Sequence, residues 1–326
     1  MKVLYIGGTG EISWSCVAES VRQGHQVFVF NRGQRDVDLP QPVIHLSGDL
    51  RDESPYESMA GMKFDVVCQF LAFQPAEVAR DVVEFGDRCQ QYVLISTASA
   101  YQKPVQQLPI TEDTPLENPF WEYSRRKAEC ENLLMQSHAN GRINATIVRP
   151  SHTYRTRIPA PFFDGDHMAW RILHDKPVPV HGMGETCWTL THADDFARAF
   201  VRLFGNDRAL GQEFHITSDD AVSWSEIVRA VGITLGKQVD VYRLETADII
   251  ARNQGLEGPL LGDKANSVSF DNTRIRKTIG AWTCNITLER GLEKVMTHAE
   301  KRLEHYTPDL RLDEMLDGLL SGDRPD

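Results

Sequence analysis

The segment Lys2-Val-Leu-Tyr-Ile-Gly-Gly-Thr-Gly-Glu-Ile-Ser13 constrains this chain more than any other. Val3 to Ile6 is an apolar run of strand length, Gly7, Gly8 and Gly10 follow at once, and an amphipathic helical pattern runs from about Ile12 to Gln23. A buried strand, a glycine-rich turn and a helix N-terminus form a corner suited to a pyrophosphate. Glycines let the backbone approach closely, and the unpaired N–H groups and helix dipole favour negative charge. A second apolar run, Gln26 to Phe30, follows the Gly24-His25 turn and supplies the context the motif needs.

The first half continues in the same alternation. Strand-like runs recur at Val43–Ser47, Asp65–Leu71, Gln91–Ser96 and Ile143–Val148, with helical patterns over Pro75–Gly86 and Phe120–His138. Nearly all-apolar strands between helices predict a parallel sheet covered on both faces. After Pro150 the texture changes, and Tyr154 to Pro161 reads as an Arg-, Pro- and Thr-rich loop. Helices are expected near His167–His174 and Asp194–Phe204, and strands near Val178–Val180 and Glu213–Thr217. A helix over Ser223–Leu235, with a Ser223/Glu226 capping box, a strand at Val239–Arg243 and a helical tail over Leu288–Leu320 complete the chain. The expected fold is α/β: a Rossmann-type doubly wound parallel sheet in residues 1–155, with 178–217 adding later strands and helices to it. Residues 156–177 and 218–326 would form a smaller, mostly helical substrate-binding region.

At 326 residues and 41% hydrophobic, the chain can bury a large core. It has no 18-residue apolar run, and a core strand begins at residue 2, which leads to the expectation of a soluble cytoplasmic protein. The six cysteines are scattered without a CxxC pair, so reduced thiols and no metal site are expected. A net charge of −11 weighs against nucleic-acid or anionic-membrane partners.

Three segments carry the chemistry. Tyr123 and Lys127 stand four apart on a predicted helix, which puts phenol and ammonium on one face. A nearby positive charge would favour phenolate and lower the tyrosine pKa toward acid–base work. Thr97 and Ser99 follow a predicted strand, where a hydroxyl can meet a substrate oxygen, and Asp49 closes another, placed to accept from an adenine amino group. Singly, each has a plain structural alternative: a chance Tyr/Lys spacing, polar turn residues, a turn or cap aspartate.

In this order and spacing the chain resembles the extended short-chain dehydrogenases/reductases, the NAD-dependent epimerase/dehydratase group. The matching residues are Gly7-Gly-Thr-Gly10, Gly48-Asp49, Ile95-Ser-Thr97 with Tyr101, Tyr123-x-x-x-Lys127, Val148-Arg-Pro150 and Thr191-His-Ala-Asp-Asp195. The resemblance implies that Gly7, Gly8, Thr9, Gly10, Glu11 and Ile12 surround the pyrophosphate, and that Asp49 with Leu50 holds the adenine. Leu71, Ala72, Phe73, Ser96, Pro150 and His152 would line the cofactor. Tyr123 would exchange a proton with the substrate oxygen, Lys127 would grip the nicotinamide ribose and Thr97 would orient the substrate. Ser99, Trp121, Tyr154 and Trp188 are the candidate substrate contacts. Dimerisation through the Phe120–His138 helix is a further expectation of the resemblance.

The departures are informative. Ser13 replaces the third glycine, and Glu11, a carboxylate beside a pyrophosphate, is expected to face solvent. The second strand ends in Asn31-Arg32-Gly-Gln-Arg35, without the usual acid and with two arginines, which favours NADP(H) over NAD(H). His152 and Trp188 stand where nucleotide-sugar enzymes grip a diphosphate with Asn and Arg, and the arginine before Gly262-Asp263 is missing. Ala98 and Ser99 replace the Asp-Glu of sugar-nucleotide dehydratases. Phe162, Phe163 and Trp170 are further candidates for an aromatic pocket, and Arg155, Arg157 and Lys176 for gripping an anion. His192 reads as a helix cap. The leading expectation is therefore a ketone/secondary-alcohol oxidoreductase on a small substrate that is not a nucleotide sugar. An NAD-dependent nucleotide-sugar epimerase and a non-catalytic RNA-binding or nucleotide-sensing relative are the alternatives.

Overall fold

The computed structural model describes residues 1–34 and 37–321. Six strands lie in the first half, with α-helices after the first, fourth and fifth: β1 (Lys2–Ile6), β2 (Gln26–Asn31), β3 (Val43–Ser47), β4 (Phe64–Gln69), β5 (Cys89–Ile95) and β6 (Ala145–Pro150). With β11 (Gln212–Ile216) they form a seven-stranded sheet, ordered β11-β6-β5-β4-β1-β2-β3, in which every pairing is parallel. The chain runs outward from β1 through β2 to β3, then returns to β4 on the other side. That reversal leaves a crevice beyond the carboxyl end of β1, where such sheets bind ligands.

Helix α1 (Glu11–Arg22) lies close to the sheet because its buried positions are small: Ser13, Ser15, Cys16, Val17 and Ser20. Its neighbour α5 (Ala193–Phe200) answers with Ala193, Ala197 and Ala199, so the two backbones pack tightly on one face. The other face carries α2 (Pro75–Phe85) and α3 (Glu122–Ala139). His192 caps α5, accepting from the Asp194 amide, as its sequence position predicts.

Short pairs complete the structure: β7 (His152–Tyr154) with β10 (Leu190–His192), β8 (Val178–His181) with β13 (Val241–Leu244), and β9 (Cys187–Trp188) with β12 (Val222–Ser223). Here the sequence expectation needs correcting. Residues 178–181 do not extend the central sheet, because they pair in parallel with β13 instead. Pro179 sits in β8 without an N–H to donate, which suits an edge pair better than the middle of a sheet. Around these pairs pack α4 (Gly165–Leu173), α6 (Trp224–Thr234) and α10 (Leu288–Glu304), sharing a core with Trp188 and Trp224. The expected continuous tail helix breaks after Glu304 and resumes as α11 (Leu310–Ser321). Arg171 and Lys176 hold α11 through Asp313 and Asp317. Between β13 and α10 run α7 (Thr246–Arg252), the short turn α8 (Glu257–Pro259), a single wide helical turn over Leu260–Lys264, and α9 (Thr273–Ile279). Among the described residues no helix is long and apolar enough to cross a membrane.

Candidate active site

The carboxyl ends of the central strands open into a cavity of about 500 Å³. It brings together Gly7, Gly10, Glu11 and Ile12 of the first turn, Leu71 and Phe73 after β4, and Ser96, Thr97 and Ser99 after β5. Trp121, Tyr123 and Lys127 enter from the N-cap and first turns of α3, Pro150 from the end of β6, His152 from the start of β7, and Trp188 from β9. An adjoining cavity of about 330 Å³ shares Gly7, Gly10, Leu71 and Phe73 with it and adds Thr9, Asn31, Arg32, Asp49 and Leu50. Arg35 lies outside the described residues.

The turn is built for close approach. Gly7 has φ +90°, and a Cβ there would press within 2.5 Å of Leu71. Gly8 faces the other way, where a Cβ would meet Val29 at 2.8 Å, so it serves turn-to-sheet packing and lines neither cavity. The Ser13 hydroxyl donates to the Gly7 carbonyl at 2.6 Å and accepts from the Gly10 N–H at 2.8 Å, tying the turn across the place of the third glycine. Among the described residues the Glu11 and Ile12 N–H groups have no acceptor. Free amides at a helix N-terminus beside a glycine without Cβ fit a dinucleotide pyrophosphate.

Glu11 does not face solvent as expected. Its carboxylate accepts the N–H groups of Arg155, Thr156 and Arg157 at 3.1, 2.8 and 3.2 Å and the Thr156 hydroxyl. Burial raises its pKa, but the Thr156 and Arg157 bonds and the Arg155 charge outweigh that and leave it lowered. The negative charge is thereby directed into the 155–157 loop, away from the free amides.

Several candidates hold other positions than the sequence implied. Ala72 is fully buried and lines neither cavity; it contributes its carbonyl to Lys127. Tyr154 is 3% exposed and lies outside the main cavity. It packs edge-on to His192 and against Gly291, where a Cβ would come within 1.9 Å of the phenol oxygen. Phe162 and Phe163 pack on each other and around His167 and His181, and Trp170 packs on His174. Arg155 lies over Trp14, and Lys176 is bound to Asp313 and Asp317. At the end of β2 the Asn31 Oδ1 closes a turn on the Gly33 N–H, which leaves its amide N–H groups as the donors on that side of the cavity. Asp49 is paired with Arg51 at 2.5 Å; this bond, assisted by Arg32, pulls its pKa to about 2.

The catalytic candidates do converge. Lys127 is buried and donates to the carbonyls of Ala72 and Ile95, both at 2.7 Å, with its ammonium 4.8 Å from the centre of the Phe73 ring. Burial lowers its pKa to about 8. The Thr97 hydroxyl meets Ser99 Oγ at 3.0 Å, and Ser99 meets Ser124 of α3 at 2.8 Å, a hydroxyl chain linking β5 to the helix. Tyr123 stacks obliquely on Trp121 with ring centres 4.9 Å apart. Its pKa is raised, contrary to the expectation from spacing: burial dominates, Thr97 pulls it down, and Asp263 pushes it up. Lys127 turns its charge to two carbonyls and leaves the phenol to its desolvated surroundings.

Two features went unread in the sequence. One is the wall formed by residues 257–264, which packs directly on Trp121: a Cβ on Gly258 would lie 2.5 Å from its ring, and Asn118 Nδ2 donates to the Gly262 carbonyl at 2.7 Å. The other is Asp263, which lines the cavity with Tyr123 and takes no hydrogen bond to its carboxylate from any described residue. The Gly262-Asp263 pair was the one available pointer. His152, edge-on to Trp188 and Trp224, has its pKa lowered to about 3 by burial and by Lys264, so it is a neutral imidazole in the cavity wall.

Known proteins agree with this architecture. The chain is 28% identical to the chloroplast stem-loop binding protein of 41 kDa b of Arabidopsis thaliana over 70% of its own length, and the match spans under two thirds (62%) of that protein. It is 27% identical to 2'-dehydrokanamycin reductase of Streptomyces kanamyceticus, over 73% of this chain and 67% of that protein. A short-chain dehydrogenase/reductase superfamily protein from Agrobacterium tumefaciens, solved with bound NAD, shares the fold with a TM-score of 0.71 at 19% identity, over 94% of this chain and 99% of that one. The sequence model of the NAD dependent epimerase/dehydratase family matches residues 3–216. The chain belongs to that family.

Proposed function

We propose that this protein interconverts a ketone and a secondary alcohol of a small substrate lacking a nucleoside diphosphate, with NADP(H) as the preferred coenzyme and NAD(H) as the alternative. One observation carries the reading: Tyr123, Thr97 and Lys127 line one cavity with the glycine turn, and the 257–264 segment, packed on Trp121, adds Asp263 to that lining. The reductase relative supports the direction of chemistry, and Arg32 beside Asp49 supports the 2'-phosphate.

The coenzyme supplies hydride exchange; its pyrophosphate would lie on Gly7 and the Glu11 and Ile12 amides. The remaining work belongs to the chain. Tyr123 Oη passes its proton to the substrate oxygen as alcohol forms and recovers it in the reverse direction. A phenol with a raised pKa keeps that proton at neutral pH, which suits it to act as the acid. Thr97 and Ser99 fix the substrate oxygen through the hydroxyl chain to Ser124. Buried Lys127 anchors α3 to the ends of β4 and β5. The apolar wall of Phe73, Trp121 and Phe270 excludes water from the reacting carbon.

Tyr123→Phe is expected to bind NADPH with unchanged affinity and to lose at least a hundredfold in turnover. Full activity in that variant refutes the mechanism. The stem-loop-binding relative favours a second reading, RNA recognition. Salt-dependent RNA binding unaffected by Tyr123→Phe, with no uptake of either coenzyme, is the result that would put it first.

A further inference from the structure

Among the described residues three charged side chains line the cavity, and two of them are engaged. Glu11 is held by the 155–157 amides, and Lys127 by the carbonyls of Ala72 and Ile95. Asp263 is the third, and no described residue donates to its carboxylate. Lys264 and buried Lys103 bias it toward the ionised form without lining the cavity, and Lys264 Nζ donates instead to the Ala160 carbonyl at 2.8 Å. Two further polar atoms of lining residues, Trp188 Nε1 and Ser96 Oγ, are buried with no partner among the described residues. Unpaired buried polar groups are costly, so a cavity that keeps a free carboxylate acceptor is matched to a ligand that supplies a donor. The intervening surface is aromatic, formed by Phe73, Trp121 and Phe270. Such faces cover the C–H side of a ring while its rim stays polar.

We infer that the substrate is an unphosphorylated cyclic polyol, one of whose hydroxyl or ammonium groups donates to Asp263. This rests on the proposed oxidoreductase reading and names the substrate class of that site. The free carboxylate selects donors and repels anions, so phosphorylated and carboxylated sugars are excluded by the residue that holds neutral and amino sugars. A plain cyclic alcohol fits the aromatic walls, but its one hydroxyl is the reacting group and leaves Asp263 unpaired, and polar sites reject such analogues strongly.

The test is calorimetric titration of the full chain saturated with NADP⁺, using myo-inositol, galactose, glucosamine, galacturonate, UDP-galactose and cyclohexanol. Binding of at least one of the first three, and of none of the others, is expected. Glucosamine binding above galactose identifies the ammonium as the donor, and the reverse order identifies a hydroxyl. Asp263→Asn should weaken the polyol at least tenfold and leave NADP⁺ affinity unchanged. Tight binding of UDP-galactose or galacturonate, no binding of any polyol, or full affinity in Asp263→Asn overturns the inference. Failure of the underlying reading shows separately, as absence of coenzyme uptake or full turnover in Tyr123→Phe.

Discussion

Asp263→Asn should make this protein more stable, and the size of the gain follows from the cavity. The Asp263 carboxyl titrates at about 6 against an ordinary 3.8, because burial penalises the charge more than Lys103 and Lys264 favour it. A shift of roughly two units is on the order of 2–3 kcal/mol of free energy held against the folded, ionised state. The sign is opposite to that of a paired carboxylate. Below about pH 4 both folded and unfolded chains carry the proton and the group contributes nothing; between about pH 4 and 6 the folded chain holds it more tightly, so stability falls as pH rises. Above about pH 6 the full penalty applies. Asparagine has a similar shape and no charge, so it escapes the penalty throughout. Urea unfolding of both proteins from pH 4 to 8 gives a difference curve in which the buried histidines, common to both, cancel. The difference should grow from near zero at about pH 4 to about 2–3 kcal/mol at pH 7 in favour of the variant. A variant less stable at pH 7, or a difference flat with pH, would show that Asp263 is satisfied in the folded protein, and the argument for its role in ligand binding would fall with it. Gain of stability with loss of affinity is what an unpaired group kept for a ligand predicts.

Arg32→Ala should weaken NADPH at least tenfold more than NADH in fluorescence titrations, since only the former offers a 2'-phosphate to the exposed guanidinium; equal losses would remove the coenzyme preference. His152, His181 and His215 have their pKa values lowered by burial to about 3, 4 and 4, so their imidazole resonances should stay in the neutral position down to about pH 5. Their stabilising contribution is complete above the ordinary histidine value and is lost as pH falls toward 4; imidazole signals moving near pH 6.5 would contradict the burial described here. Arg149→Ala leaves Glu131 buried without its partner and should cost about 3–5 kcal/mol by chemical denaturation. The double replacement Arg149→Met with Glu131→Leu should recover most of that loss.

The corner formed by β1, the glycine turn and α1 was legible because its determinants are local: an apolar strand, a φ only glycine tolerates, and a run of small helix residues. The cavity-lining positions of Tyr123, Lys127 and Thr97 were legible for the same reason, as a helix spacing and a strand end. Glu11 was misread because its partners at 155–157 lie about 145 residues away, beyond any local pattern. The segment 178–181 is apolar enough to be a strand, but its choice of β13 over the central sheet is a tertiary decision. Residues 246–264 showed no helical period, being broken by Gly255, Gly258 and Pro259, and so the wall carrying Asp263 was invisible. The raised Tyr123 pKa was equally out of reach, since spacing reports proximity to Lys127 but not that two carbonyls engage its ammonium.

Arg149 and Tyr101, two of the family-matching residues, lie outside the cavity and brace the helix that bears Tyr123 and Lys127. Arg149 in β6 holds Glu131 of α3 through paired bonds at 3.0 and 2.6 Å and donates to Tyr101 Oη at 3.2 Å. Tyr101 in turn meets His215 Nδ1 of β11 at 3.1 Å. One buried guanidinium therefore braces the helix bearing Tyr123 and Lys127 against β6, the segment after β5 that follows Thr97, and the last strand of the sheet. Proton transfer tolerates little displacement: an ångström lost between phenol and substrate oxygen can cost about a hundredfold in rate. A helix packed only by its apolar side would slide more readily than one pinned by directional bonds in a dry interior. Arg149 and Tyr101 would thus bear on the proposed reaction through the placement of Tyr123. Loosening them should depress turnover through misplacement of the phenol before it unfolds the chain.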